Sequence, residues 1–130
     1  MRILIDTDVL LDVALARTPH LADSVGVLEW AEAGGCAAVA WHSLSNCSYL
    51  LKGGRVFLKQ LLQIVEVPEV GTQDARWAVG SPMTDLEDAL QAAVALAWKA
   101  DFIVTRNIAD YRRSPVVAIS PSGFLAKAAE

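Results

Sequence analysis

Short apolar runs alternate with amphipathic segments along the whole chain. Five runs have the length and β-branched content of buried strands, at residues 2–5, 36–41, 64–67, 102–105 and 115–119. The segments between them carry apolar residues at helical spacing and predict helices at 8–17, 20–33, 43–52, 55–63, 72–79 and 85–99, with a last helix after 120–121. Because parallel strands need crossover connections, this alternation predicts an α/β fold with a mostly parallel sheet of about four to five strands flanked by helices.

The segment 85–99 has the clearest helical pattern. One apolar stripe recurs through it at spacings of three and four, made of Leu86, Ala89, Leu90, Ala93, Val94, Ala97 and Trp98. Thr84 and Glu87 have the spacing of a capping box. The pattern therefore predicts an amphipathic helix that starts beside a group of acids.

Composition narrows the class of protein. A chain of 130 residues with 54% hydrophobic content predicts a single domain over 1–130. No apolar run is long enough for a membrane span, and Asp6 interrupts the first run too early for a signal peptide, so we expect a cytoplasmic protein. The net charge of −4 argues against a protein that coats nucleic acid non-specifically. This charge does not exclude an enzyme whose active site is a cluster of carboxylates.

Acids and amides follow the predicted strands where an active site is expected. Asp6 and Asp8 come directly after the first strand, and Asn107 and Asp110 follow the strand at 102–105. A third group, Asp85, Glu87 and Asp88, lies at the start of the clearest helix. Sites in parallel sheets lie outside the carboxyl ends of the strands, and hard oxygen ligands suit Mg²⁺ or Mn²⁺. The pattern predicts a metal site able to activate water against a phosphodiester.

Each acid also has a purely structural explanation. Asp6 could cap the helix that follows it, Asp85 and Glu87 suit the first turn of a helix, and Asp110 could be a turn residue. Asp88 is harder to explain in this way, because it lies about one turn into the helix with another acid at i−3.

Three segments, 3–12, 86–93 and 103–111, resemble the motifs of PIN-domain nucleases in order and spacing. The first reads ILIDTDVLLD, the second LEDALQAA and the third IVTRNIADY. The resemblance covers essentially the whole chain and implies that Asp6 and Asp88 bind the metal. It also implies catalytic roles for these two acids together with Asp110, and places Asn107 near the metal.

The chain departs from the family pattern at two positions. Asn46 stands where the family commonly has a glutamate, in a Ser-x-x-Glu setting, and Asp8 stands where it often has an asparagine. Asn46 could still coordinate through its amide oxygen, and neighbouring acids could compensate for the lost charge. We therefore expect supporting roles for Asp8, Asn46, Asp85, Glu87, Thr105 and Asn107.

The resemblance also implies a substrate and partners. Small PIN domains of this type resemble VapC-like toxins, which cut RNA and are held inactive by an antitoxin. This implies an endoribonuclease with Mg²⁺ or Mn²⁺ as cofactor, an antitoxin partner and a homodimer. Arg106, beside the third motif, is the candidate for substrate binding. Other basic residues that could contact the RNA backbone are Arg112 and Arg113, which also lie beside the third motif. A second basic group, for which solvated surface charge is an equally good explanation, consists of Lys52, Arg55 and Lys59.

Two other functions remain open from the sequence. Asp6-x-Asp8-x-Val9 also matches the opening of haloacid-dehalogenase-like phosphatases, but the chain after Thr105 offers only Asp110, Lys127 and Glu130 to complete such a site. The other alternative is a catalytically impaired PIN fold that serves as a binding module, which Asn46 favours.

Overall fold

A single parallel sheet organises the structure, a computed structural model that describes residues 1–130. Its strands are β1 (Arg2–Ile5), β2 (Cys36–Ala38), β3 (Phe102–Val104) and β4 (Val117–Ile119), in the order β2-β1-β3-β4. Every neighbouring pair is parallel. The predicted α/β fold with a parallel sheet of about four strands is confirmed.

Seven α-helices and one 3₁₀ helix connect and cover the strands. They are α1 (Thr7–Ala14), α2 (Leu21–Glu32), α3 (Trp41–Leu50), α4 (Gly54–Leu61), α5 (Thr72–Gly80), α6 (Leu86–Trp98), η1 (Ile108–Tyr111) and α7 (Pro121–Ala128). The longest, α6, has 13 residues, and no helix is long and apolar enough to cross a bilayer.

The central strands β1 and β3 are buried on both faces of the sheet, which explains the uninterrupted apolar run of β1. Successive side chains of a strand point to opposite faces. Ile3 and Ile5 accordingly belong to one apolar core with Phe124, whereas Leu4 belongs to a second core with Ile103. The four strand residues Ile3, Leu4, Ile5 and Ile103 are all fully buried.

The predicted strand at 64–67 is wrong. Only Glu66 pairs with the sheet, through an isolated parallel bridge to Ala38, the last residue of β2. The backbone amides of Ile64 and Val65 both donate to the carbonyl of Leu61, so they continue the turn that ends α4. These residues therefore cannot join a ladder before Pro68 closes the segment.

The start of α6 differs from the predicted capping box. The N-cap is Asp85 rather than Thr84, and its side chain accepts a hydrogen bond of 3.0 Å from the backbone N–H of Asp88. Asp85 therefore stabilises the start of α6, which is the structural explanation that the sequence offered for it.

The buried face of α6 is also wider than the predicted stripe. Leu86 and Ala97 are exposed, whereas Gln91, Ala92 and Ala95 are fully buried. Because α6 packs against both α5 and the sheet, residues on more than one side of it leave water.

The sheet brings the ends of β1 and β3 together at one edge. Ile5 pairs with Val104, and the backbone N–H of Asp6 donates to the carbonyl of Val104 at 3.0 Å. Asp6 and Thr105 are therefore neighbours across the strand ends.

Candidate active site

Asp6 is the most firmly held acid of the site. It is 7% exposed and is the N-cap of α1, accepting from the backbone N–H of Thr7 at 2.7 Å. The same oxygen, Oδ1, accepts from Gln91 Nε2 at 3.1 Å, and Oδ2 accepts from the hydroxyls of Thr105 at 2.8 Å and Tyr111 at 3.1 Å. Capping accounts for one of these four bonds. The other three fix the carboxylate from α6, from η1 and from the residue that follows β3.

The Tyr111 hydroxyl connects Asp6 with Asp88. It lies 3.1 Å from Asp6 Oδ2 and 3.3 Å from Asp88 Oδ1, and a phenol has one proton to donate. Burial, and then the charges of the two acids, raise the pKa of Tyr111, so the phenol stays neutral. The two carboxylates thus lie within two hydrogen-bond lengths of each other, although they are far apart in sequence.

Three successive residues of the loop that follows β3 contact the side chain of Asp8. Its Oδ2 accepts from the backbone N–H of Arg106 at 3.0 Å and from Asn107 Nδ2 at 3.1 Å. It also lies 3.3 Å from the Thr105 hydroxyl, whose one proton is directed mainly to Asp6 at 2.8 Å. Its other oxygen, Oδ1, is buried without a hydrogen-bond partner. One face of this carboxylate is therefore organised by protein, and the other is left with unused lone pairs.

Asn46 and Glu87 meet over the same cleft. Asn46 Nδ2 donates to Glu87 Oε1 at 2.7 Å, and both residues line the cleft that contains Asp6, Asp8 and Asp88. The amide thus holds a carboxylate from α6 beside the position where the family resemblance predicts a glutamate on α3.

Arg106 lines this cleft, but its guanidinium is engaged by Asp12. Nε and Nη2 donate to the two oxygens of Asp12 at 2.6 and 3.1 Å, and Arg17 Nε lies 3.4 Å from the same carboxylate. The Asp12 side chain is fully buried. The bidentate pair fixes the loop whose backbone holds Asp8. Contact with substrate remains a prediction for Arg106.

A second cavity of about 340 Å³ opens on the other side of Asp88. Asp85 and Asp110 face this cavity rather than the cleft beside Asp6, and Asp88 borders both. The structure therefore brings Asp6, Asp8, Asn46, Glu87, Asp88, Thr105, Arg106 and Asn107 together, and separates Asp85 and Asp110 from that group by the width of Asp88.

Sequence reasoning gave no role to several residues that build the site. Gln91 is fully buried, and its Nε2 donates to Asp6 and to the Ser43 hydroxyl at 2.8 Å. A polar residue one turn after Asp88, among alanines, was a usable signal. Tyr111 follows Asp110 directly, but nothing in its spacing indicated that it would reach two acids.

The donor set fits a hard divalent cation. Burial, followed by the charge of Asp6, raises the pKa of Asp8 to about 6, and burial, followed by the charges of Asp85 and Asp6, raises that of Asp88 to about 6. Carboxylates that repel one another, one with an unpartnered oxygen, are what a cation would stabilise. No three His, Cys, Asp or Glu side chains form a complete metal site. Mg²⁺ nevertheless needs only one or two carboxylates, because it keeps several waters.

We expect protein free of divalent cations to become more stable as the pH falls from about 7 to about 5. The pKa values of Asp8 and Asp88 are about 6 in the folded protein against 3.8 for the unperturbed group, so the folded state binds more protons between those values. This contribution is fully present below pH 3.8 and is lost as the pH rises through about 6.

Melting temperatures measured in chelator across this range test the expectation. Other carboxylates also titrate there, so the difference between the wild type and Asp8→Asn isolates part of the effect. A wild-type profile that runs parallel to that of Asp8→Asn would contradict the role given to Asp8.

Comparisons with known proteins identify the family and the fold. The family model described as "PIN domain" matches residues 2–109. The fold is similar to the solved structure of VapBC2 from Rickettsia felis bound to a DNA fragment from their promoter, with a TM-score of 0.68, 20% identity and coverage of 92% of this chain and 98% of that one.

FitAcB from Neisseria gonorrhoeae is also similar, with a TM-score of 0.60, 16% identity and coverage of 92% of this chain and 98% of the other. No curated protein matches the chain. At these identities the structural similarity establishes the fold alone. The family model, however, spans well over half of the chain. The protein therefore belongs to the PIN-domain family of nucleases.

Proposed function

We propose that the protein is a Mg²⁺- or Mn²⁺-dependent endoribonuclease that hydrolyses RNA phosphodiester bonds. The observation that supports this most directly is the shared contact of Tyr111 with Asp6 and Asp88 at the edge of an open cleft. Two carboxylates are thereby fixed where the strands β1 and β3 end. Such an arrangement can hold one hard cation against a phosphate.

The residues of the cleft have distinct roles in this proposal. Asp6 and Asp88 hold the cation, which when bound supplies a Lewis acid and a water of lowered pKa. Gln91 and Tyr111 keep the carboxylate of Asp6 in one orientation. Asp110 adds negative charge on the far side of Asp88.

The Asn46–Glu87 contact favours an active enzyme over an impaired binding module. The amide at position 46 removes one charge from α3, but its side chain holds the carboxylate of Glu87 in the same cleft. The local charge is therefore retained by a different residue, and Asn107 supports Asp8 by a hydrogen bond.

The fold does not support the phosphatase alternative. Such a site needs a lysine near the first aspartate, and Lys127 Nζ lies 5.7 Å from the ring centroid of Phe102. Phe102 begins β3, whereas Asp6 and Thr105 lie at the opposite end of the strands. Membership of the PIN-domain family points the same way.

A toxin of a toxin–antitoxin pair is the biological role we propose. Its supports are the fold similarity to the VapBC2 and FitAcB structures and the exposed Tyr49 and Leu50, which border the acidic cleft and leave apolar surface for a partner. An antitoxin protein would cover that cleft. We further propose a homodimer acting in the cytoplasm, and light scattering of the purified chain tests the dimer.

Divalent-dependent cleavage of a mixed pool of single-stranded and structured RNA tests the enzymatic proposal. We expect the wild type to cut with Mg²⁺ or Mn²⁺ and to stop on chelation. Asp88→Asn should lose at least about 100-fold in rate, because it removes a carboxylate that would hold the cation. Asp23→Asn, an exposed change on α2, is the matched control and should retain activity.

Absence of cutting in all preparations, with either ion, would contradict the proposal. Cleavage of equal rate in the wild type and in Asp88→Asn would instead show that the metal site lies elsewhere or that the activity is a contaminant.

A further inference from the structure

The arginines near the site differ in whether they are already paired. Arg106 and Arg17 both form salt bridges with the buried carboxylate of Asp12. Arg112 and Arg113 form no salt bridge, although both are exposed next to the acidic residues. The unpaired positive charge at this edge of the molecule is therefore carried by Arg112 and Arg113.

These two arginines line the second cavity, on the far side of Asp88 from the cleft. The cavity has a volume of about 340 Å³, within the range of small-ligand sites, and Asp88 borders both it and the cleft that contains Asp6. A nucleic-acid strand with one phosphate in the cleft beside Asp88 would meet Arg112 and Arg113 where it continues to the far side of Asp88.

The backbone that carries the arginines is tied to the catalytic acids. Arg112 follows Tyr111, whose hydroxyl contacts Asp6 and Asp88 from the buried end of η1. Arg113 Nη1 donates to the carbonyl of Pro82 at 3.3 Å, which holds the guanidinium at the cavity rim with further N–H groups free. Such anchoring reduces the entropy that binding would cost.

The other charges of the cavity select among anionic ligands. Asp85, Asp88 and Asp110 face the same space, so an isolated phosphate would meet repulsion as well as attraction. A strand held at the same time in the neighbouring cleft does not depend on this cavity alone. The chemistry therefore favours a polynucleotide over a free phosphate.

We infer that Arg112 and Arg113 form a phosphate subsite that holds the RNA strand beside the scissile bond. The RNA class of the strand rests on the proposed function. Both arginines lie beyond residue 109, where the family match ends.

Fluorescence anisotropy with a short labelled single-stranded RNA tests the subsite. Binding is measured in Ca²⁺, which takes carboxylate ligands, over a series of salt concentrations, with the RNA checked for integrity. We expect R112A/R113A to bind roughly tenfold more weakly. The dependence of log affinity on log salt should become shallower by about 0.7 for each phosphate that the variant no longer neutralises.

Two further variants separate the subsite from general effects. R112K/R113K keeps the charges and should keep the salt dependence. Arg76→Ala removes an exposed arginine from α5 and should bind as the wild type does. Thermal melts of each variant show whether the fold is retained.

The outcomes distinguish the subsite from the enzymatic proposal. Wild-type affinity and salt dependence in R112A/R113A would overturn the subsite, as would an equal loss of affinity in Arg76→Ala. Binding that depends on the two arginines without cleavage in Mg²⁺ or Mn²⁺ would support the subsite and contradict the nuclease. Cleavage by wild type with R112A/R113A unaffected would do the reverse.

Discussion

Asp6→Asn should lower RNA cleavage by at least about 100-fold while the fold is retained. Asparagine has the shape of aspartate and keeps one oxygen to accept from Thr7 and Gln91. Its amide would face the hydroxyls of Thr105 and Tyr111, which can turn to accept instead of donate. The substitution removes the charge that would hold a cation without leaving a buried group unpaired.

Cleavage rates and thermal melts of the same preparation check this expectation. The melting temperature should equal or exceed that of the wild type, because Asp6 raises the pKa of both Asp8 and Asp88 and its charge therefore opposes theirs. Asp23→Asn serves as the exposed control. Full activity in folded Asp6→Asn would contradict the metal-binding role of Asp6.

Asp12→Ala should have the largest effect on stability, a loss of about 3 kcal/mol in the free energy of unfolding. The Asp12 carboxylate is fully buried and accepts from both Arg106 and Ser24. Removing it leaves a partly buried guanidinium without its partner. The figure lies at the lower end for a broken buried pair, because the Arg106 side chain is 25% exposed and can be partly hydrated.

Denaturant unfolding measures this loss, which corresponds to a fall of roughly 10 °C in melting temperature. The exposed Asp23→Ala should change stability by less than about 0.5 kcal/mol. In a double-mutant cycle, Asp12→Ala with Arg106→Ala should lose less than the sum of the single changes. The Arg106 guanidinium is then removed with its partner, and only Arg17, whose side chain is 40% exposed, is left unpaired. Simple additivity would show that the two side chains do not stabilise each other.

The Asp12–Arg106 pair also changes the interpretation of Arg106. Its position beside the third motif predicted a substrate contact, but two of its donors are occupied by Asp12. The backbone N–H of the same residue holds Asp8 at 3.0 Å. Arg106 therefore organises the site whether or not it also meets the RNA.

Much of the fold could be predicted, because the pattern of apolar residues along a short segment indicates which of its positions are buried. The continuous apolar run of β1 is explained by its two buried faces, and the acids that end it, Asp6 and Asp8, fall where parallel strands place a site. The order of strands and helices and the parallel sheet followed from such patterns, whereas the family followed from the resemblance of three segments to known motifs. The segment 64–67 was misread because its apolar residues suit either a strand or the end of a helix.

The polar partners of the site were decided only by the tertiary structure. Gln91 and Tyr111 contact Asp6 across 85 and 105 residues of sequence, and Arg106 pairs with Asp12 rather than standing free. Periodicity records which positions leave water, because that property depends on each residue and its near neighbours. It does not record which buried polar groups meet. Those pairings are fixed when the strands align and distant donors and acceptors must satisfy one another.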